Sequence, residues 1–213
     1  MTVISFDLDG TLVQSDYIDE VWMVGLPTIY SEEKGIKLED AKKFISAEYD
    51  IIGEDSLNWY IIDYWFDRFD LESSPRELLE KYRERVSTYP EVIDVLSRLE
   101  KKYNLVLSSN ASRPFLNLEI ETAGLDRFFS HTFSSPSDFS LLKNSVEFYR
   151  KVLNILDIDS MDIVHIGDNY RCDYLAPKEI GIRSYFLDRS NSKRGSSVVS
   201  DLLEFEEMLN GVI

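Results

Sequence analysis

Two aspartates, Asp7 and Asp9, stand one residue apart in the segment VISFDLDGT near the start of the chain. The apolar residues before them predict a short strand, and alternate residues of an extended strand point to the same side. Both carboxylates then share one small volume, which is costly unless a cation or a shared proton relieves the repulsion. Gly10 follows and can take the backbone angles of a sharp turn. The pair is typical of a site that binds a cation or moves protons, although ordinary turn aspartates give the same pattern.

Further polar residues follow apolar runs later in the chain. Ser109 and Asn110 end the segment LVLSSN, and Asp168 ends DIVHIGD, with Asp173 five residues later. Lys143 stands in the loop or first turn before the amphipathic segment KNSVEFYRKVLNIL. Taken singly, such residues are more often helix caps, turn residues or solvated charges. Their shared position at the ends of predicted elements indicates one common site.

These residues lie at the ends of strand and helix patterns that alternate along the chain. The apolar runs VISF, LVLSSN, HTFSS, DIVHIGD and RSYFLD predict strands, and the amphipathic segments between the later runs predict helices. The segment TYPE predicts the start of one such helix, with Thr88 as its N-cap and Glu91 three residues later. This alternation predicts an α/β fold with a doubly wound parallel sheet and helices on both faces. Ligands of such sheets bind beyond the carboxyl ends of the strands.

The region between the first strand and this alternating part gives only helical signals. Apolar residues recur there at helical spacing. The segment SSPREL predicts a capping box between Ser74 and Glu77. We therefore predict a core domain formed by residues 1–14 and 89–213, and a helical domain, residues 15–88, inserted after the first strand.

The composition restricts the partners and the compartment. The chain has 23 Lys and Arg residues against 39 Asp and Glu residues, a formal charge of -16. This excess of acid argues against nucleic acid or an anionic membrane as a partner. The sequence shows no long apolar segment and no N-terminal signal peptide, so we expect a soluble, cytoplasmic protein. The single cysteine, Cys172, fits a reducing compartment.

The order of DLDGT, SSN, Lys143 and GDNYRCD resembles the four motifs of the haloacid dehalogenase (HAD) superfamily. The predicted helical insertion resembles the α-helical cap of its phosphoglycolate phosphatase and β-phosphoglucomutase relatives. The resemblance implies a Rossmann-like core and a Mg²⁺-dependent phosphatase that acts on a small phosphorylated metabolite. It also implies that Asp7 attacks phosphorus to give an aspartyl-phosphate, while Asp9 protonates the leaving oxygen and then activates water.

The same resemblance implies the other roles at the site. Asp7, the backbone carbonyl of Asp9 and Asp168 are the implied Mg²⁺ ligands. Asp173 is implied to bind the metal directly, to bind it through water, or to orient Lys143. Phosphate binding is implied for Ser109, Asn110 and Lys143.

Other functions remain open from the sequence. A phosphomutase shares the whole site and differs in how the cap holds a sugar phosphate. Dehalogenases and phosphonatases are related, but they usually replace the second aspartate of the first motif, so Asp9 favours phosphoryl transfer. A non-catalytic phosphate-binding protein is expected to lose Asp7, Asp9 or Asp168, and all of them are present.

Several expectations concern the surroundings of the site. Cap loops in this family contact the leaving group, so we expect the segment YDIIGEDSLNW to face the site. If the insert moves, we expect its hinges near residues 11–15 and 87–90. His165, inside an apolar strand, is expected to be packed and neutral. Arg113 and Arg171 lie in predicted loops near the site and receive no role.

Overall fold

The computed structural model describes residues 2–212 and contains a six-stranded sheet in the order β3-β2-β1-β4-β5-β6. Every pairing in this sheet is parallel. The strands are β1 Val3–Phe6, β2 Asn104–Ser109, β3 His131–Ser134, β4 Ile163–Gly167, β5 Arg183–Leu187 and β6 Val198–Val199. The predicted doubly wound parallel sheet is confirmed, and β1 to β5 coincide with the apolar runs. The two-residue β6 is too short to give a periodic signal.

The central position of β1 decides where the polar residues meet. Ile4 and Phe6 are fully buried, which is typical of a strand covered on both faces. Phe6 pairs with Leu107 of β2 on one side and with Ile166 of β4 on the other. The strand order reverses between β1 and β4, so a crevice opens beyond their carboxyl ends.

Helices flank the sheet, and the described region between β1 and residue 86 contains helices and turns but no strand. The helices of this region, here called the helical insert, are α1 Asp16–Asp19, α2 Leu26–Lys34, α3 Leu38–Ile52, α4 Ile62–Arg68 and α5 Pro75–Lys81. The later helices are α6 Val92–Leu99, α7 Arg113–Thr122, α8 Ser135–Phe139, α9 Val146–Leu156, α10 Ala176–Glu179 and α11 Leu202–Val212. A π-helical turn, Glu20–Gly25, joins α1 to α2. No helix within residues 2–212 combines the length and the apolar character needed to cross a membrane.

The helical insert has an apolar cluster of its own. Tyr17 and Trp65 are fully buried in it, and Phe115 and Leu118 of α7 belong to the same cluster. Leu116, on another side of α7, belongs to the cluster beneath the sheet. Helix α7 therefore packs against both the insert and the sheet.

The chain passes between the sheet and the insert twice, once near Val13 and once near Thr88. Val13 forms an antiparallel bridge with Thr88, and the backbone N–H of Gln14 donates to the carbonyl of Ser87 at 2.9 Å. The crossings lie within the expected hinge segments. The domain boundaries at residues 14/15 and 88/89 stay a prediction.

The two predicted capping boxes have different outcomes. The Ser74 hydroxyl accepts a hydrogen bond from the backbone N–H of Glu77 at 3.4 Å, so the predicted N-cap is confirmed. The second prediction is wrong, because α6 begins at Val92 and its N-cap, Glu91, makes no side-chain capping bond. Thr88 takes part instead in the bridge between the two crossings. A long-range pairing thus outweighs the local capping pattern.

Candidate active site

Asp7 lies directly after β1 and is buried against Lys143. Its backbone N–H donates to the carbonyl of Ile166 at 2.9 Å, which continues the β1–β4 pairing by one residue. The Lys143 ammonium contacts the Asp7 carboxylate and lies 2.7 Å from Asp173 Oδ1. Lys143 is only 1% exposed. Burial lowers the pKa of Lys143, but Asp173 and Asp7 outweigh that effect and raise it, so the lysine is a permanent cation between two acids.

Asn110 fixes the loop that delivers Lys143. Its side-chain oxygen accepts hydrogen bonds from the backbone N–H of Lys143 at 2.9 Å and from the Ser135 hydroxyl at 2.7 Å. Ser145 caps the following helix α9 by accepting from the N–H of Glu147. The loop is therefore held at both ends, and the lysine side chain reaches the end of β1.

Asp173 is held by donors on several sides. Its oxygens accept from the backbone N–H of Asn169 at 2.9 Å and from Nε2 of His165 at 3.1 Å, besides the contact with Lys143. Burial raises the pKa of Asp173, but Lys143 and His165 outweigh that effect and lower it to about 2. Asp173 is therefore an ionised anchor for Lys143.

His165 is buried among hydrogen-bonding partners. The Ser5 hydroxyl lies 2.9 Å from Nδ1, and the Tyr149 hydroxyl lies 3.1 Å from Nε2. Burial lowers the pKa of His165. A neutral, packed histidine was expected from the sequence, and the structure places its ring behind Asp173 rather than in the cavity.

Asp168 follows β4 and lies against the turn after Asp9. Its carboxylate accepts a hydrogen bond from the Thr11 hydroxyl at 3.2 Å. Gly10 has φ +74°, and a Cβ at this position would clash with the Asp168 carboxylate. Glycine is therefore required here both for the backbone angle and for the close approach.

The acidic residues form a cluster suited to a hard cation. Carboxylate oxygens of Asp7, Asp168 and Asp173 lie within 4.8 Å of one another. Burial, with a contribution from Asp173, raises the pKa of Asp7 well above its ordinary value and that of Asp168 to about 6. A bound cation would relieve this repulsion, and oxygen donors are the ligands that Mg²⁺ prefers. The donor set fits Mg²⁺.

Ser109 and Ser108 point to different surroundings. Ser109 lines the cavity above the acids, and its hydroxyl accepts from the backbone N–H of Ala111 at 2.9 Å. The Ser108 hydroxyl instead lies 3.0 Å from the Ser5 hydroxyl on the buried side. Asn110 also lines the cavity. The structure thus brings all the sequence-predicted site residues to one edge of the sheet.

Glu119 is a buried acid that sequence reasoning missed. It is fully buried on α7, and among the described residues neither of its carboxyl oxygens has a hydrogen-bond partner. The same holds for Oδ1 of Asp9. Burial and the nearby Asp9 raise the pKa of Glu119 well above its ordinary value. The available signal was its spacing: Glu119 lies four residues after Phe115 and three after Leu116, on the buried face of the helix.

Two arginines near the site have other partners. Arg113 donates to Asp138 at 2.8 Å and to the carbonyl of Thr132 at 2.6 Å. Arg171 pairs with Asp55 of the helical insert at 3.1 Å. Neither arginine is among the residues that line the cavity over Asp7.

A cavity of about 330 Å³ lies over the acids. Its floor is formed by residues after β1, β2 and β4 together with Lys143. Its opposite wall comes from α7 and the helical insert, namely Ile18, Asp19, Trp22, Met23, Trp59, Tyr60 and Phe115. The expected segment YDIIGEDSLNW contributes Trp59 to this wall. The contributions of α1 and the π-helical turn were not predicted.

Comparison with known proteins identifies the family. The sequence model of the haloacid dehalogenase-like hydrolase family matches residues 1–181. The chain belongs to this family. Among curated relatives, this HAD-like hydrolase is similar to the GMP/IMP nucleotidase YrfG of Escherichia coli (strain K12), with 27% identity over 66% of the chain. The match spans 64% of the nucleotidase, somewhat less than two thirds of its length.

Two further similarities extend over nearly the whole HAD-like hydrolase. The glyceraldehyde 3-phosphate phosphatase of Pyrococcus furiosus is 26% identical over 97% of this chain and 92% of its own length. The crystal structure of an HAD phosphatase from Thermococcus onnurineus covers 99% of both chains at 25% identity, with a TM-score of 0.85. The predicted family and the α/β core are confirmed, and the chain is a hydrolase of this family.

Proposed function

We propose that this HAD-like hydrolase is a Mg²⁺-dependent phosphatase that hydrolyses a small phosphorylated metabolite through an aspartyl-phosphate on Asp7. The observation that carries the proposal is the buried ion pair of Lys143 with Asp7 at the floor of a cavity that Asp9 also lines. The names of the relatives, a nucleotidase and a phosphatase, support phosphate-ester hydrolysis.

The first step forms a bond between an Asp7 carboxylate oxygen and phosphorus, while the bond from phosphorus to the ester oxygen breaks. Asp9 gives its proton to that leaving oxygen. The raised pKa of Asp9, caused by burial, favours the protonated form that this step requires. Glu119 acts in the opposite direction and lowers the pKa of Asp9, but burial outweighs that effect.

The second step returns the enzyme to its starting state. Asp9, now ionised, takes a proton from a water molecule whose oxygen attacks the phosphorus of the aspartyl-phosphate. The bond between Asp7 and phosphorus breaks, which releases inorganic phosphate and restores both carboxyl groups.

Charge on the phosphoryl group is balanced by the groups around it. The Lys143 ammonium, 2.7 Å from Asp173, is held in place to neutralise a phosphoryl oxygen. The Ser109 hydroxyl and the backbone N–H of Asn110 would donate hydrogen bonds to the others. Mg²⁺, held by Asp7, the carbonyl of Asp9 and Asp168, with Asp173 as its neighbour or ligand, would supply further electrostatic stabilisation.

Hydrolysis of p-nitrophenyl phosphate tests the proposal. We expect turnover that needs Mg²⁺ and that falls by about 10³-fold or more in Asp7→Asn, because an amide is a poor nucleophile. Asp159→Asn is the matched control, since Asp159 is exposed and precedes β4 at the opposite edge of the sheet. A folded Asp7→Asn variant with wild-type turnover would contradict the assignment.

A further inference from the structure

The wall of the cavity opposite the acids is aromatic. Trp22 and Phe115 line it and stack on each other, with ring centroids 5.3 Å apart and an angle of 18° between planes. Trp59 also lines it and packs in a T-shaped arrangement with Tyr49, at a centroid distance of 5.4 Å. A smaller recess of about 50 Å³ is lined by Trp22, Trp59 and Tyr49 together with Met23. The wall opposite the acids therefore consists largely of aromatic side chains whose rings pack on one another.

The cavity has little positive charge to offer a second anionic group. Among the described residues that line it, Lys143 is the only lysine or arginine, and it is already paired with two acids. Arg171, in the π-helical turn Tyr170–Leu175 outside this lining, is paired with Asp55. Within this lining, a second phosphate or a carboxylate on the substrate would therefore find no unpaired cation.

The carboxylate on the aromatic side belongs to Asp19. Asp19 of α1 lines both the cavity and the recess. Its Oδ2 accepts a hydrogen bond from the Ser15 hydroxyl at 2.9 Å, and no described residue donates to its Oδ1. A carboxylate at this position repels anions and accepts hydrogen bonds from N–H groups.

From these features we propose that the leaving group is an uncharged nucleoside whose flat base packs against the aromatic wall, and that the substrates are nucleoside 5′-monophosphates. The proposal rests on the proposed phosphatase function and deepens it. A nucleobase stacks on aromatic side chains through its π-face, and its amino or ring N–H groups suit Asp19. The cavity volume of about 330 Å³ lies at the small end of ligand pockets, as expected for one mononucleotide.

Three substrates separate the elements of the proposal. GMP carries the base, ribose 5-phosphate has the same kind of 5′-phosphate ester without the base, and pyrophosphate has an anionic leaving group. With the wild-type enzyme and Mg²⁺, we expect kcat/KM for GMP to exceed that for each of the other two by about tenfold or more. Equal values for GMP and ribose 5-phosphate, or a preference for pyrophosphate, would overturn the proposal.

Substitutions of Trp59 test whether the aromatic wall is responsible for the expected preference for GMP. Trp59→Ala should lower the ratio of kcat/KM for GMP to kcat/KM for ribose 5-phosphate by about tenfold, whereas Trp59→Phe should retain most of the preference. The hydrogen bond from Trp65 Nε1 ends on the backbone carbonyl of Trp59, so both variants can keep it. Phe44→Ala is the matched control, because Phe44 is an aromatic residue of the insert outside the cavity lining.

The outcomes separate this inference from the proposed function. If Trp59→Ala leaves the ratio of GMP to ribose 5-phosphate unchanged, the aromatic wall does not select the ring and the inference fails. Mg²⁺-dependent hydrolysis of p-nitrophenyl phosphate that is lost in Asp7→Asn would still support the phosphatase. If Trp59→Ala does not fold, the wild-type substrate ratios and Trp59→Phe decide. Absence of all phosphatase activity would overturn both proposals.

Discussion

At the scale of single residues, the buried charge of Lys143 has the largest consequence. Two acids face it, and the pKa of Asp173 is about 2 with Lys143 in place. We predict that Lys143→Met lowers the free energy of unfolding by about 3 kcal/mol or more at pH 7, because two buried carboxylates lose their counter-charge. Urea denaturation in EDTA measures this effect without a contribution from metal.

The matched control for Lys143 is an exposed lysine. Lys178 lies on the surface in α10, and Lys178→Met should change the free energy of unfolding by no more than about 0.5 kcal/mol. A Lys143→Met variant as stable as this control would show that Asp7 and Asp173 tolerate each other without the ammonium group.

Residues at the ends of strands were more predictable than residues on helix faces. Asp7 and Asp168 follow apolar runs, so a parallel-sheet topology is enough to bring them together. Glu119 could not be assigned in this way, because its importance depends on how α7 packs against Asp9. An acidic residue at helical spacing with buried apolar residues is usually solvent-exposed, and only the packed structure shows that Glu119 is not.

At the scale of elements, Arg189 links the segment after β5 to two others beside the site, the turn after Asp9 and the start of α6. It follows β5 and donates to the carbonyls of Gly10 at 3.2 Å and Thr11 at 2.6 Å, in the turn after Asp9. It also pairs with Glu91 at the start of α6 at 2.8 Å and stacks on Tyr89. The turn that follows the first motif is therefore anchored from outside the motif.

This anchor predicts a pH dependence. Burial raises the pKa of Glu91, but a backbone hydrogen bond and Arg189 outweigh that effect and lower it below 4.5. A lowered pKa in the folded state stabilises the protein above pH 4.5, and this contribution is lost as pH falls through the lowered value. Glu91→Gln should therefore cost about 1 kcal/mol at pH 7 and progressively less between about pH 5 and 3.

Urea denaturation at several pH values measures the difference between Glu91→Gln and wild type. Glu147→Gln is the control, because Glu147 and its partner Arg150 are both exposed and such pairs contribute little. A difference for Glu91→Gln that stays constant from pH 7 to pH 3 would contradict the role of the Arg189 pair.

The sequence predicted elements well where a local pattern and the tertiary structure agree. The apolar strands and the Ser74 N-cap are of this kind. The Thr88 prediction failed because a residue some 75 positions earlier, Val13, pairs with it. Long-range pairing of this sort has no local signature, and it lies where the helical insert meets the sheet.

At the scale of the whole molecule, the formal charge of -16 and the acidic cluster act together. Any salt screens the general repulsion between acids. A cation that binds Asp7 and Asp168 stabilises only the folded state, because only folding brings these carboxylates together. The two effects can be distinguished by comparing ions at equal ionic strength.

We predict that Mg²⁺ raises the melting temperature more than NaCl does at the same ionic strength. At ten times its Kd, a ligand of the folded state adds about 1.4 kcal/mol, which corresponds to roughly 3–5 °C for a chain of this size. Differential scanning fluorimetry measures the shift.

Asp168→Asn should reduce the Mg²⁺-specific shift, and Asp159→Asn, which lies outside the cluster, should keep it. Equal shifts with Mg²⁺ and NaCl in the wild type would mean that the cluster responds only to screening, and the proposed metal ligands would then be wrong.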